Sequence, residues 1–118
     1  MGKITIHVLD TMTGSPAADV SLDLYALKGP FEGNWLKSEV TNLNGRLESP
    51  LLSGDDFVAG RYRVIFKIAD YFKAANIDLP NIPFLEDVSI DFGVSDASTH
   101  YHIPLLVSPY GYSTYRGS

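Results

Sequence analysis

Cysteine is absent from the 118 residues, which removes disulfide stapling, thiolate nucleophiles and zinc-thiolate sites. The chain therefore performs no thiol redox chemistry of its own. No stretch approaches the roughly 18 apolar residues that a membrane-spanning helix needs, and Met1-Gly2-Lys3 leads straight into an alternating segment rather than an apolar leader core. The expectation is a cytoplasmic protein. Cations are scarce too: Lys+Arg 9 against Asp+Glu 14 leaves a net charge of -5. Such a surface is not built to neutralise phosphates, so nucleic acid and anionic membrane are not among the expected partners. Phosphate loops, dinucleotide fingerprints and the Gly-x-Ser-x-Gly elbow are missing as well.

What is present is an ordinary globular composition, with 45% hydrophobic and 19% charged residues, and enough length for one domain over residues 1–118. Ile4, Ile6 and Val8 alternate with Lys3, Thr5 and His7, the period of two that marks a strand buried on one face. Turn formers at residues 11–16 separate it from a second alternating run at Val20, Leu22, Leu24 and Ala26. Leu36 to Thr41 reads as a third strand, Asn42-Leu43-Asn44-Gly45 as a tight turn, and Arg46 to Leu51 as a short strand after it. Tyr62, Val64, Phe66 and Ile68 mark the central strand. Asp70 to Ile77 breaks the rhythm and predicts a short helix capped by Asp70 and ended by Pro80 and Pro83. Two further strands follow, from Val88 to Val94 and from His100 to Val107, and a last segment begins near Tyr112. Seven or eight strands, one helix and no βαβ rhythm predict an all-β antiparallel sandwich. Pro104, inside an apparent strand, demands an edge or a bulge, since proline donates no ladder hydrogen bond.

Three histidines carry most of the chemical information. His7 falls on the face opposite Ile4, Ile6 and Val8, and His102 on the face opposite Tyr101, Ile103 and Leu105. Both are off the core face, where a histidine is either an ordinary solvent-facing residue or part of a site. His100 and His102 project on one side of one strand, a spacing that some zinc and copper sites use, but two ligands do not make a site. Asp91 or His7 would have to supply a third, and their order in the chain gives no support; no metal is expected. Arg46, after its turn, is either a solvated hairpin arginine or a planar fork able to hold an imide or carboxylate by two hydrogen bonds. The closing Tyr110-Gly111-Tyr112-Ser113-Thr114-Tyr115-Arg116-Gly117-Ser118 is either an edge strand with aromatic partners or a docking segment.

His7-Val8-Leu9-Asp10, Gly14-Ser15-Pro16-Ala17, Asn44-Gly45-Arg46 and the run from His100-Tyr101-His102 to Tyr115-Arg116-Gly117-Ser118 together resemble the transthyretin-related 5-hydroxyisourate hydrolases. The resemblance spans the chain, and its closing Tyr-Arg-Gly-Ser is the most specific part, because transthyretin, the hormone carrier of the same fold, differs there and lacks the histidine pair. It implies a transthyretin-like (prealbumin-like) eight-stranded sandwich assembled as a homotetramer, a dimer of dimers, with sites in the channel between dimers. It implies further that His7, Arg46 and His102 are catalytic, that His7, Arg46, Tyr115, Arg116, Gly117 and Ser118 bind substrate, and that no cofactor is needed.

The residue types suit the implied reaction. Opening a cyclic amide calls for a water made nucleophilic near neutral pH, and neutral imidazole, with an ordinary pKa of about 6.5, suits the base role. A fixed guanidinium stabilises the negative charge that develops on the attacked carbonyl. The competing expectation is a transthyretin-like carrier of a small aromatic ligand in the same channel. A carrier needs apolar walls and has no use for paired imidazoles.

Overall fold

The period-two segments become strands whose apolar residues meet between two sheets. The structure, a computed structural model, describes residues 2–29 and 32–117. Its strands are β1 (Lys3–Asp10), β2 (Ser15–Pro16), β3 (Ser21–Lys28), β4 (Trp35–Val40), β5 (Leu52–Ser53), β6 (Gly60–Phe66), β7 (Val88–Val94), β8 (His100–Ser108) and β9 (Gly111–Thr114). Among the described residues one α-helix, α1 (Ile68–Ala74), follows β6, and a short 3-10 turn at Gly54–Asp56 precedes that strand. One sheet runs in the order β2-β1-β8-β9 with β5 added to β1, and the other in the order β4-β3-β6-β7. Ile4, Ile6 and Val8 of β1 and Ile103, Leu105 and Val107 of β8 face Leu22, Leu24, Val64, Phe66, Val88 and Ile90 across the core. Each such side chain removed from water contributes about 1.5–3 kcal/mol before chain entropy is charged against it.

The sandwich is the expected one, with one departure from its antiparallel expectation: β1 and β8 pair in parallel over their whole length. Both strands carry their apolar residues in the same phase, so the pairing keeps one face of the sheet buried. A slip of one residue would turn Ile4, Ile6 and Val8 outward.

Three local expectations need correction. The helix begins at Ile68, not Asp70, because Ile68, Ala69 and Phe72 bury together and the Ala69 amide donates to the Glu86 carbonyl at 2.9 Å, satisfying an orphan donor without a side-chain cap. Asp70 lies in the first turn, where its charge complements the helix dipole. The helix also stops earlier than Pro80: Asn76 takes the left-handed conformation at φ 63 and ends it. Finally, Arg46 to Leu51 forms no continuous strand. The Asn42 side chain captures the Arg46 amide, and Pro50 has none to give, so only a bridge at Arg46 and the two residues of β5 pair with β1.

Pro104 lies in a strand flanked on both sides, yet its requirement for a break is met. The β8–β9 ladder runs from Ser108↔Gly111 to Leu105↔Thr114, opens, and closes again at the His102↔Gly117 bridge in unchanged register. The Gly117 amide donates to the His102 carbonyl at 2.8 Å, so two residues on, the Pro104 nitrogen also points towards the terminal segment, at the gap. Thr114 fills part of it by donating its hydroxyl to the Pro104 carbonyl at 2.7 Å.

Asp10, buried at the end of β1, joins sheet to helix. Its Oδ1 accepts the Met12 amide at 2.9 Å and its Oδ2 accepts the Tyr71 hydroxyl at 2.8 Å. Burial, then the Asp10 carboxylate, push the Tyr71 phenol up to about 12. Tyr71→Phe leaves that oxygen without its donor and is expected to lower stability by about 1–3 kcal/mol in urea unfolding, with no change in the far-ultraviolet spectrum of the folded state. Loss below 0.5 kcal/mol would show that the bond does not hold the helix in place.

Candidate functional site

The parallel register Lys3↔His100, Thr5↔His102 and His7↔Pro104 lays the outward residues of β1 and β8 side by side. His7 and His102 are half-buried on that outward face, with ring centroids 6.5 Å apart, and His100 is exposed 6.2 Å from His102. Between the imidazoles of β8 stands Thr5. Its Oγ1 lies 2.7 Å from His100 Nε2 and 2.7 Å from His102 Nδ1.

Arg46 reaches the same face through the Asn42–Gly45 turn. Asn42 Oδ1 accepts the amides of Asn44 at 2.9 Å and Arg46 at 3.2 Å, and the Asn42 amide donates to the Arg46 carbonyl at 2.7 Å. The turn closes with Gly45 at φ 71, and the Gly45 carbonyl accepts the Val8 amide at 2.8 Å. Any side chain at residue 45 would collide with the Val8 carbonyl, so glycine is required both for its conformation and for its approach to β1. Arg46 is thereby bridged to His7.

These elements surround an open cavity of about 380 Å³ lined by Thr5, Arg46, Glu48, Ser49, His100 and His102 among others. Partial burial, and next the Arg46 cation, hold both His7 and His102 below the usual imidazole pKa; the Asn44 carbonyl opposes this at His7, while His100 and His7 add to it at His102. Both effects favour the neutral imidazole, beside a guanidinium. A base whose surroundings favour its neutral form, a second imidazole and a cation on one face of the sheet are the parts needed to activate water against a carbonyl and stabilise the oxyanion.

The terminal residues divide. Gly117 packs against His102: a Cβ there would stand 2.6 Å from the ring Cδ2, so the glycine makes room for the imidazole. Arg116 places its guanidinium 4.1 Å over the Tyr101 ring and donates to the His100 carbonyl at 3.3 Å. With Tyr115 it lines a second cavity of about 200 Å³ beside Ile90, Phe92 and Ile103, away from the imidazoles. Ser118 lies outside the described residues. Asp91, weighed as a metal ligand, belongs to the other sheet and is paired with Arg63 at 2.6 Å.

Thr5 is the site residue that the sequence reading passed over. It shares the outward phase of His7, but only the parallel pairing of β1 with β8 brings it between His100 and His102.

Comparison with known proteins places the whole chain in one family. The profile of the HIUase/Transthyretin family matches residues 4–117. The 5-hydroxyisourate hydrolase 2 of Rhizobium meliloti is 49% identical over 99% of this chain and 97% of its own length. Among solved structures, Klebsiella pneumoniae 5-hydroxyisourate hydrolase covers all of both chains at 33% identity with a TM-score of 0.81. A crystal structure of (S)-allantoin synthase matches 99% of this chain at 41% identity and a TM-score of 0.94, and this chain spans 44% of that longer one.

The close approach of Gly117 to His102 gives a direct test. Gly117→Ala is expected to displace the His102 ring, read as a change in its Cδ2–H resonance larger than that at His7, while stability falls by less than about 1 kcal/mol because the added methyl meets a movable side chain. An unchanged His102 resonance would show that the segment does not wall the ring.

Proposed function

As the chain belongs to the HIUase/Transthyretin family, we propose that its single domain over residues 1–118 is a 5-hydroxyisourate hydrolase of urate breakdown, opening the ring to 2-oxo-4-hydroxy-4-carboxy-5-ureidoimidazoline. The observation that carries this reading is the pair of imidazoles His7 and His102, 6.5 Å apart and both held below the ordinary imidazole pKa by burial and then by Arg46, with His102 and Arg46 lining one cavity. One imidazole takes a proton from water as it attacks the carbonyl. Arg46 stabilises the oxyanion, and the second imidazole gives a proton to the leaving ring nitrogen. Gly117 supports His102. Tyr115, Arg116 and Ser118 are assigned to substrate binding on the resemblance of the closing motif, with the pocket completed by another subunit. The carrier reading is weaker, because Arg46, Glu48, His100 and His102 give this cavity a polar, titratable lining.

The substrate is made in place by urate oxidase acting on urate and followed by ultraviolet absorbance; the protein is expected to accelerate loss of the intermediate. Unchanged decay would overturn the hydrolase reading. His7→Ala and His102→Ala should each lower turnover by at least about 100-fold in folded protein, the usual scale for removing a general acid or base. A folded variant with near-normal turnover removes that residue from the catalytic set.

The pH profile follows from the same environment. The base must be unprotonated, and burial and Arg46 lower the pKa at which it becomes so. Activity is then retained below the ordinary value of 6.5, and the acid limb of kcat/KM should have its midpoint under 6.5. A midpoint above 6.5 contradicts the assignment.

A homotetramer belongs to this reading. Arg46 and His100 are exposed in the single chain, and a reaction that depends on excluded water needs that open face covered, most simply by a symmetric copy. Sedimentation is expected to give the mass of four chains, and a fully active monomer would refute it. The same reading sets the reaction in the cytoplasm, which cell fractionation would check.

A further inference from the structure

Thr5 carries one hydroxyl hydrogen and stands at hydrogen-bond distance from two imidazole nitrogens, His100 Nε2 and His102 Nδ1. It can donate to only one of them and must accept from the other. The protonation of the two rings is therefore coupled: if His102 donates from Nδ1, Thr5 donates to His100; if Thr5 donates to His102, His100 donates to Thr5. Because the nitrogen that is free of Thr5 takes the opposite role, the direction of this chain sets whether His102 presents a lone pair or an N–H at Nε2.

We propose that Thr5 and His100 form a proton relay that positions His102, holding it first as a base with Nε2 unprotonated and then turning it into an acid. This rests on the reading of His102 as a catalytic group. Before reaction, the Arg46 cation beside the ring favours a lone pair over an N–H on the free nitrogen, so His102 carries its proton on Nδ1 and donates it to Thr5. When Nε2 takes a proton from the attacking water, Nδ1 passes its proton to Thr5 Oγ1 and Thr5 passes its own to His100 Nε2. No proton is gained or lost in the relay. The positive charge leaves half-buried His102 for exposed His100, where water solvates it, and His102 is left neutral with an N–H at Nε2. That N–H protonates the leaving nitrogen as the relay runs back in the same step, His100 Nε2 returning its proton to Thr5 and Thr5 passing its own to His102 Nδ1, so that no imidazolate forms and the chain is reset.

The charged groups around the relay come from three directions. Lys3 is paired with His100 on β1, Arg46 and Glu48 line the cavity from the turn side, and Arg116 donates to the His100 carbonyl from the terminal segment. His7 adds to the field at His102. None of these stands between Thr5 and either imidazole.

Two measurements test the relay. The first is independent of activity: nitrogen-15 spectra of the histidine rings above pH 7. His102 is expected as the Nδ1–H tautomer in the wild type and as a mixture in Thr5→Val, with Thr5→Ser like the wild type; an Nε2–H wild type, or no response to Thr5→Val, overturns the proposal. The second is kinetic. Thr5→Val should lower kcat at least about 10-fold with KM within about two-fold, the expected pattern for a misoriented base, and Thr5→Ser should recover it. His100→Ala should lose kcat similarly and regain part of it with imidazole in the buffer, whereas Thr5→Val should not be rescued, since the hydroxyl link is missing. Wild-type kcat in Thr5→Val, or equal rescue of both variants, sinks the relay. A wild type inactive on 5-hydroxyisourate would instead count against the hydrolase reading, and the ring spectra would still decide the tautomer.

Discussion

The parallel pairing of β1 with β8 is the constraint on which the site depends. It is fixed by burial: Ile4, Ile6 and Val8 on one strand and Tyr101, Ile103 and Leu105 on the other must face the core, and a one-residue slip would expose one of these sets. The outward residues are then aligned without any attraction of their own. Thr5 falls beside His102, Lys3 beside His100, and His7 beside the proline that interrupts the next ladder. The energy that positions the polar groups comes from the apolar side of the sheet, which is why the site sits on strands rather than on loops and needs few contacts to hold its geometry.

Arg46 is the exception, since it comes from an irregular segment and is held by different means. Its turn is locked by Asn42 and by the close approach of Gly45 to the Val8 carbonyl. This places a full charge beside two half-buried rings, and the consequence is chemical as well as spatial. The same guanidinium that can stabilise an oxyanion also adds to burial in lowering the pKa of both imidazoles. Base strength is sacrificed for availability of the base form at neutral pH.

The sandwich and the outward placement of His7 and His102 were legible because alternation is a strong local signal, and Asn42 to Gly45 announced a turn by residue type. What could not be read was set by distant pairing. Nothing in residues 3–10 states that β1 runs parallel to β8, so Thr5 looked like any solvent-facing threonine. The start of the helix was misjudged because the Ala69 amide is satisfied by Glu86, seventeen residues on in the chain, and an Asp in the right place resembled a cap. Arg46 to Leu51 looked like a strand until the Asn42 side chain took its first amide. Gly117 was named only through the resemblance of the closing motif, because its approach to the His102 ring depends on the bridge between two segments distant in the chain.

The interruption at Pro104 separates the molecule into parts of unequal permanence. The floor beneath the imidazoles is continuous with the core and can open only when the sandwich opens. The wall formed at Gly117 is attached beyond a gap in the ladder, by the Thr114 hydroxyl, by the Arg116 guanidinium on the Tyr101 ring and the His100 carbonyl, and by one main-chain bond from Gly117. Local opening there breaks few bonds and uncovers little apolar surface, so its free energy lies well below that of global unfolding. Floor and wall thus belong to different cooperative units, and the protein can release the segment against His102 thermally while the sheet that carries the histidines stays intact.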